Sequence, residues 1–139
     1  MLSSPNIGYL LAQSAHDWRV QVAASLRPFG ITPPQFFMMM SIYQHQLHEP
    51  QLATQKQAAA HTAMDLTVAS QVVRKLIGMD LAKRDIHPKD SRAYVLSLTQ
   101  KGMDLADKSS AAVRAVNDRF FAPANVVALS HELQKLVKD

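Results

Sequence analysis

Five polar residues follow one stripe of a predicted helix near the middle of the chain. They recur at steps of three and four, which places them on one face of an α-helix: Thr67, Ser70, Gln71, Arg74 and Lys75. All five side chains can donate hydrogen bonds, and none is acidic. Base edges and phosphates in a groove of double-stranded DNA offer acceptors to such a face. We therefore expect Thr67, Ser70 and Gln71 to contact base edges, and Arg74 and Lys75 to contact phosphates.

The net positive charge of the protein lies entirely in the segment around this stripe. The 139 residues carry a formal charge of +4. Seven basic and three acidic residues fall between Arg74 and Lys101, so this segment holds the whole excess, and the remainder has eight of each sign. A localised basic patch favours a polyanionic partner. Charge alone leaves open a solvated basic face without a partner.

A predicted β-hairpin follows the helix that carries the stripe. Residues 81–86 and 93–98 each have the composition of a short strand. The second strand is expected to be half buried, because Tyr94, Leu96 and Leu98 alternate with the residues between them. Two strands alone are too few to be stable in water, so the hairpin must pack on the helices.

Basic residues lie along the first strand and at the tip of this hairpin. We expect Lys83, Arg84, Lys89 and Arg92 to contact the phosphate backbone or the minor groove of the same DNA. Arginine suits a narrow minor groove, because its flat and weakly hydrated cation follows the enhanced negative potential there. The alternative for Arg92 is an ion pair within the hairpin or with the preceding helix.

Capping signals divide the segment before the hairpin into two helices. Thr54 is expected to cap a short helix that ends near His61, and Asp65 to cap the helix with the stripe, which closes at residues 78–80. Two helices joined by residues 62–64 form a helix-turn-helix, and the hairpin is then its wing. The buried face of the second helix is expected to hold Leu66, Ala69, Val72, Val73 and Leu76.

Two further helices are predicted before this motif. The first begins at Ser4 and Pro5 and carries the apolar stripe Ile7, Leu11, Ala15, Trp18, Val22 and Leu26. Thr32 and Gln35 form a capping box for the second. Its inward residues are expected to be Phe36, Met39, Met40, Tyr43 and Leu47.

Two helices are also predicted after the hairpin, capped by Thr99 and starting near Asn125. The fold class is therefore mainly α with a small β-hairpin wing (α+β). No stretch approaches the ~18 apolar residues of a membrane span, and there is no cysteine. We expect no membrane association and a cytoplasmic location.

The residues from Asp65 onward match the pattern of a known family. The run D-L-T-V-A-S-Q-V-V at residues 65–73 is followed by L-T-Q-K-G at residues 98–102. Between them lie Leu76, Gly78, Leu81, Arg84, Pro88, Asp90 and Arg92. Over nearly its full length the chain resembles the MarR (multiple-antibiotic-resistance regulator) family of winged helix-turn-helix transcription factors. It departs from that pattern at Asp80, where the family more often has a Gly before the Leu.

The resemblance implies a sequence-specific regulator of transcription, specifically a repressor, that binds double-stranded DNA as a homodimer. Residues 1–30 and 99–139 would form dimerisation helices, and residues 31–98 the winged helix-turn-helix module. The operator would be a pseudo-palindrome with half-sites about one helical turn apart. The sequence supports a homodimer independently, because the first and the C-terminal helices carry more apolar surface than one small module can bury.

The resemblance also implies a ligand cleft and an ion pair. Small anionic aromatic or lipophilic molecules would bind between the dimerisation helices and the winged module, with Trp18, Phe36, Met40 and Tyr43 as candidate lining residues. The alternative is that these four residues are simply core. An acid at the position of Asp65 often pairs with the wing arginine in the family, which here would be Arg92.

Other classes of function are less well supported by the residues. The chain has no nucleophile motif, no paired-carboxylate signature and no Gly-rich phosphate loop, so we expect neither catalysis nor a cofactor. His45 and His48 at i and i+3 could share a metal ion with Glu49, which leaves a metal-sensing regulator open although no metal site is expected. A winged module that binds protein would instead present an apolar or acidic recognition face.

Overall fold

The computed structural model describes residues 6–137, which form six α-helices and a small antiparallel sheet. It confirms the predicted fold class. The elements, in chain order, are α1 (Ile7–Leu26), a 3-10 turn (Arg27–Phe29), α2 (Pro33–His48), β1 (Ala53–Thr54), α3 (Gln55–Ala60), α4 (Leu66–Gly78), β2 (Ala82–Ile86), β3 (Tyr94–Leu98), α5 (Gln100–Phe120) and α6 (Val126–Leu136). None of the helices in this range is both long and apolar enough to cross a membrane.

The predicted helix caps are present. Thr32 and Thr54 each form a capping box with the glutamine three residues on, and Thr99 and Asn125 accept hydrogen bonds from the first turns of α5 and α6. These bonds satisfy backbone N–H groups that have no partner inside the helix. In the described residues α1 is capped by Asn6. The predicted start at Ser4 and Pro5 lies outside the described residues.

The core gathers around α2, which packs against α1, α3, α4, α5 and the sheet. Its buried residues are Phe36, Met38, Met39 and Ile42. Since neighbours surround this helix on several sides, its buried face is wider than the single predicted stripe. The prediction for Leu47 was wrong: this side chain lies in the last turn of α2 and is 58% exposed.

The sheet has a third strand that the sequence did not indicate. β1 pairs with β3 through Ala53 and Thr54, so β3 lies between β1 and β2. β3 has a strand on each edge, and α2, α3 and α5 pack on it. The expected half-buried alternation was therefore wrong, because Val95 and Ser97 are buried along with Leu96 and Leu98.

The base of the wing is joined to α5 by a dense set of contacts. The Thr99 hydroxyl donates to the Asp80 carbonyl oxygen at 2.7 Å and accepts from the Gly102 N–H at 3.0 Å. The Thr99 N–H donates to the Leu81 carbonyl oxygen at 3.1 Å. A Cβ on Gly102 would overlap the Leu81 carbonyl. The motif L-T-Q-K-G therefore serves as the junction between wing and helix.

We predict that Gly102→Ala lowers the free energy of unfolding by about 2 to 3 kcal/mol, because overpacking against backbone cannot relax through a side chain. Chemical denaturation followed by circular dichroism measures the change. Gly78→Ala is the matched control, since nothing lies within 4 Å of a Cβ at Gly78 in the last turn of α4. It should stabilise the protein by up to roughly 1 kcal/mol. Equal effects of the two substitutions would contradict the close-approach explanation.

Candidate nucleic-acid interface

The predicted polar stripe lies on the outer face of α4. Thr67, Gln71, Arg74 and Lys75 are exposed, and Ser70 is half-buried. Ala69, Val73 and Leu76 on the opposite face are buried. The Arg74 Nε–H lies 3.5 Å from the Ser70 carbonyl oxygen, which directs the guanidinium along the helix surface. Five hydrogen-bonding side chains thus remain available on one side of α4.

A tight turn at residues 61–65 presents this face. Ala63 adopts a φ of +59°, a left-handed conformation that residues other than Gly rarely take. The Thr62 hydroxyl donates to the Ala59 carbonyl oxygen at 2.7 Å, which closes the end of α3. Asp65 then caps α4 as predicted, because its Oδ1 accepts from the Val68 N–H at 2.8 Å. Together α3, the turn and α4 form the helix-turn-helix.

Two apolar side chains also lie exposed in the first turn of α4. Leu66 is 61% exposed and Val68 is 40% exposed. The prediction that Leu66 belongs to the buried face was wrong. Position 66 is the first residue of the helix, where α3 and α2 no longer cover the stripe that Ala69 and Val73 continue.

The wing tip holds its arginine differently from what the family pattern implies. The Arg92 Nε lies 3.3 Å from Asp90 Oδ1, and the same oxygen accepts from the Arg92 N–H at 3.1 Å. The expected pair between Asp65 and Arg92 is not formed, because Asp90 is only two residues away and already faces the guanidinium. The alternative of an ion pair within the wing is the arrangement found. The Lys89 N–H donates to His87 Nδ1 at 3.0 Å and tightens the tip further.

The basic residues of β2 point in opposite directions. Lys83 lies across from Ser97 and Arg84 across from Leu96, and neighbouring residues of a strand face opposite sides of the sheet. The Arg84 guanidinium lies 4.5 Å from the centroid of the Tyr94 ring. This cation–π contact holds the Arg84 guanidinium over the Tyr94 ring. Lys83 and Arg84 therefore leave the wing on opposite faces of its sheet.

Most cations of the interface have no acidic partner. The ion pairs within residues 6–137 are Arg92 with Asp90 and Lys135 with Glu132. Lys75, Lys83 and Lys89 are exposed and take part in neither. Lys101 donates to the Met79 carbonyl oxygen at 3.1 Å, beside the base of the wing. Such uncompensated charges create a positive potential over α4 and the wing.

The four candidate ligand residues do not line one cavity. Trp18 stacks on Phe37 with ring centroids 5.7 Å apart, and its Nε1–H donates to Asn117 Oδ1 at 2.8 Å. Phe36 is buried in the core. Only Met40 of the four borders a cavity among those found in the described residues. For Trp18 and Phe36 the core alternative is the observed one.

Tyr43 instead connects α2 to α5. Its hydroxyl lies 3.4 Å from Asp107 Oδ2. Desolvation and then the Asp107 carboxylate raise the pKa of the Tyr43 phenol above its ordinary value of 10.0. The phenol therefore stays protonated and serves as a hydrogen-bond donor at neutral pH.

Two open cavities flank the core. One of about 630 Å³ lies between the end of α2 and the helix-turn-helix turn and is bordered by His45, His48, Glu49 and His61. The His45 and His61 rings are 6.5 Å apart between centroids. No group of three or more His, Cys, Asp or Glu side chains within residues 6–137 is placed to hold a metal ion.

The second cavity, of about 760 Å³, lies where the winged module meets the long helices. It is lined by Phe29, Gly30, Met79, Leu81, Lys101, Asp104, Leu105 and Lys108. Its position matches the expected ligand cleft, but its residues were not among the candidates. No local signal in the sequence brings the 3-10 turn, the end of α4 and the first turns of α5 together.

Comparison with known proteins identifies the family. The chain is 31% identical over 124 residues to YdcH, an HTH-type transcriptional regulator of Bacillus subtilis, across 88% of this chain and 84% of that protein. It is 30% identical over 116 residues to Rv2887, an HTH-type transcriptional repressor of Mycobacterium tuberculosis, across 84% of this chain and 80% of that protein. The crystal structure of Rv2887 with salicylic acid, described as a MarR family protein, has a TM-score of 0.73 at 26% identity, covering 99% of this chain and 100% of that chain. The chain belongs to the MarR family.

The fold agrees with more distant MarR structures. A MarR variant from Escherichia coli complexed with operator DNA has a TM-score of 0.83 at 19% identity, covering 96% of this chain and 95% of that chain. No protein-family model matches the chain.

The one departure from the MarR pattern has a conformational consequence. Asp80 stands where the family more often has Gly, and its φ is +59°. The turn keeps the geometry that favours Gly, and Asp tolerates it better than most residues. Its carbonyl oxygen is held by the Thr99 hydroxyl, so the departure leaves the junction with α5 intact.

We predict that Asp65→Ala lowers the free energy of unfolding by about 1 kcal/mol, because the Val68 N–H loses its acceptor. Asp65→Asn should change it by only a few tenths of a kcal/mol, since an amide oxygen still caps the helix. Urea denaturation of both variants measures the difference. An equally large loss for Asp65→Asn would mean that the charge, and not the cap, is what stabilises this turn.

Proposed function

We propose that the protein is a transcriptional repressor that binds a pseudo-palindromic operator as a homodimer. The observation that carries this proposal is the exposed donor face of α4 beside a wing whose lysines lack acidic partners. An acidic or apolar face would have favoured a protein partner instead. Rv2887 is a repressor, and MarR of E. coli binds operator DNA through the same fold.

In this arrangement α4 enters the major groove and the wing tip lies over the adjacent backbone. Thr67, Ser70 and Gln71 contact base edges, with glutamine suited to the N6 and N7 edge of adenine. Arg74, Lys75, Lys83 and Lys89 contact phosphates. Arg92 reaches the backbone or minor groove from the tip while Asp90 positions its guanidinium. Arg84 contacts the phosphate backbone or the minor groove from the first strand of the wing, with its guanidinium supported by the Tyr94 ring.

A homodimer is supported by apolar surface that a single protomer leaves uncovered. The N-terminal half of α1 exposes Ile7, Tyr9, Leu10 and Leu11. Helix α6 has no buried residue, and its exposed side chains include the apolar residues Val126, Val127, Leu133 and Leu136. A protomer alone would keep these side chains in water at a cost of roughly 25 cal/mol per Å² of apolar surface. We assign residues 1–30 and 99–139 to dimerisation and residues 31–98 to the DNA-binding module.

We predict that Leu11→Glu combined with Leu136→Glu shifts the protein from dimer to monomer, because both side chains are more than half exposed in the protomer. Sedimentation equilibrium across a range of concentrations measures the mass. Leu47→Glu is the matched control, since Leu47 is equally exposed on α2 outside these helices, and it should leave the mass unchanged. A wild-type protein that sediments as a monomer at all concentrations would contradict the dimer.

Control by a small anionic aromatic molecule is part of the proposal. Rv2887 binds salicylic acid, and the cleft beside Leu105 and Leu81 offers apolar walls with Lys101 and Lys108 for a carboxylate. A ligand there would touch both the wing base and α5, so it would favour one spacing of the two modules over another. Titrating salicylate into a preformed operator complex tests this. If excess salicylate leaves the operator affinity unchanged, salicylate is not an effector of this protein.

We predict different losses for two DNA-contacting residues. Gln71→Ala should weaken the operator complex by about 1 to 3 kcal/mol and relax preference at one base pair, because it removes a base contact. Lys89→Ala should weaken specific and random duplexes alike and lower the salt slope by roughly one unit, because it removes a phosphate contact. Fluorescence anisotropy on an operator selected from genomic fragments, repeated at several salt concentrations, measures both.

Lys135→Ala provides the control for charge, because it also removes one lysine but lies on α6 outside the basic segment. It should leave affinity and salt slope unchanged. Equal losses of Gln71→Ala on operator and random DNA would contradict the base-reading role. No binding of the wild-type protein to any duplex at low salt would favour the protein-interaction alternative.

A further inference from the structure

We propose that Leu66 and Val68 read thymine in the operator through its C5 methyl group. This inference rests on the proposed function, because it needs α4 to lie in the major groove. The thymine methyl is the apolar group that base pairs present in that groove, and apolar side chains recognise it by contact. Leu66 and Val68 are not among the residues that the polar stripe predicts to contact DNA.

The position of the two side chains is the first argument. A recognition helix contacts base edges mainly with the residues at its N-terminus. Leu66 is the first residue of α4 and Val68 the third, on either side of Thr67. Residues two apart lie about 200° apart around a helix, so the two side chains leave α4 on opposite flanks of Thr67, and both lean toward the N-terminal end that would enter the groove.

The rigidity of the first turn is the second argument. Val68 donates its N–H to Asp65 Oδ1 at 2.8 Å, and the Ala69 N–H donates to the Asp65 carbonyl oxygen at 2.9 Å. Valine also has a stiff side chain because it is branched at Cβ. The backbone of this turn and the Val68 side chain are therefore held in place before DNA binds, which limits the conformational entropy lost on contact.

The size and surroundings of the apolar pair decide its occupant. Two side chains on one helical turn are far smaller than the roughly 800 Å² that a specific protein interface buries on each partner. The neighbouring exposed groups are the donors Thr67 and Gln71 and the cations Arg74 and Lys75. A surface of this charge attracts a polyanion, and the apolar feature that duplex DNA offers at this scale is a methyl group.

The test compares thymine with uracil, which lacks the methyl and keeps the same hydrogen-bonding edge. Each thymine of the selected operator is replaced singly by deoxyuridine, and affinity is measured by fluorescence anisotropy. Burying a methyl-sized group is worth roughly a factor of four in an equilibrium constant. We expect at least one position in each half-site where uracil weakens wild-type binding by about that factor. The variant that carries both Leu66→Ala and Val68→Ala should bind the thymine operator and the uracil operator with equal affinity.

Two control variants keep the result interpretable. Leu66→Met retains an apolar side chain of similar volume and should keep the difference between thymine and uracil. Leu47→Ala removes an equally exposed leucine from α2 and should keep it as well. Wild-type binding that is indifferent to uracil at every position would overturn the inference, as would a full difference in the double alanine variant. If the wild-type protein binds no duplex at all, the proposed function is overturned instead.

Discussion

The junction at Thr99 and Gly102 is the constraint on which the DNA-facing half of the molecule depends. One hydroxyl joins the carbonyl of Asp80 to the N–H of Gly102, and the missing side chain of Gly102 lets α5 approach the Leu81 backbone. The wing and the end of α4 are thereby attached to the longest helix in the described residues. The sheet also packs on α2, α3 and α4, and the junction fixes its position relative to α5.

The same junction borders the cleft between the winged module and the long helices. Met79, Leu81 and Lys101 line this cleft. They also belong to the junction, where the Lys101 ammonium donates to the Met79 carbonyl oxygen. A molecule bound there would press on the segment that orients α4 and the wing. Binding in the cleft and binding of DNA would then be coupled through one short stretch of backbone rather than through a long relay of side chains.

The protomer exposes two kinds of surface that lack a partner within the protomer, and they lie in different parts of the chain. The surface of α4 and the wing has donors and cations without acidic partners, whereas α1 and α6 have apolar side chains without cover. The first surface is suited to a polyanion and the second to another apolar helix. The apolar pair at Leu66 and Val68 lies within the charged surface, at the start of α4. Its small size suits a methyl group better than a protein.

The sequence by itself determined the features that depend on neighbours within one or two helical turns. The caps at Thr32, Thr54, Asp65 and Thr99 were predictable because each joins a side chain to an N–H three residues on. The polar face of α4 followed from helical periodicity alone. The strand patterns of residues 81–86 and 93–98 indicated the wing, and the family resemblance agreed with it, but neither indicated the junction with α5.

Only the tertiary structure decided which side chains are buried and which ion pairs and strand pairs form. β1 pairs with a strand that lies far away in the chain and makes β3 the central strand, and helices from both sides of the wing in the sequence pack on it. Leu47 and Leu66 have the periodicity of core residues yet lie where no other element reaches them. Arg92 pairs with Asp90, two residues away, and not with Asp65 on α4, so the expected contact between the wing and α4 is absent. Burial and contacts of this long-range kind depend on distances between elements far apart in the chain, and local sequence patterns carry no information about those distances.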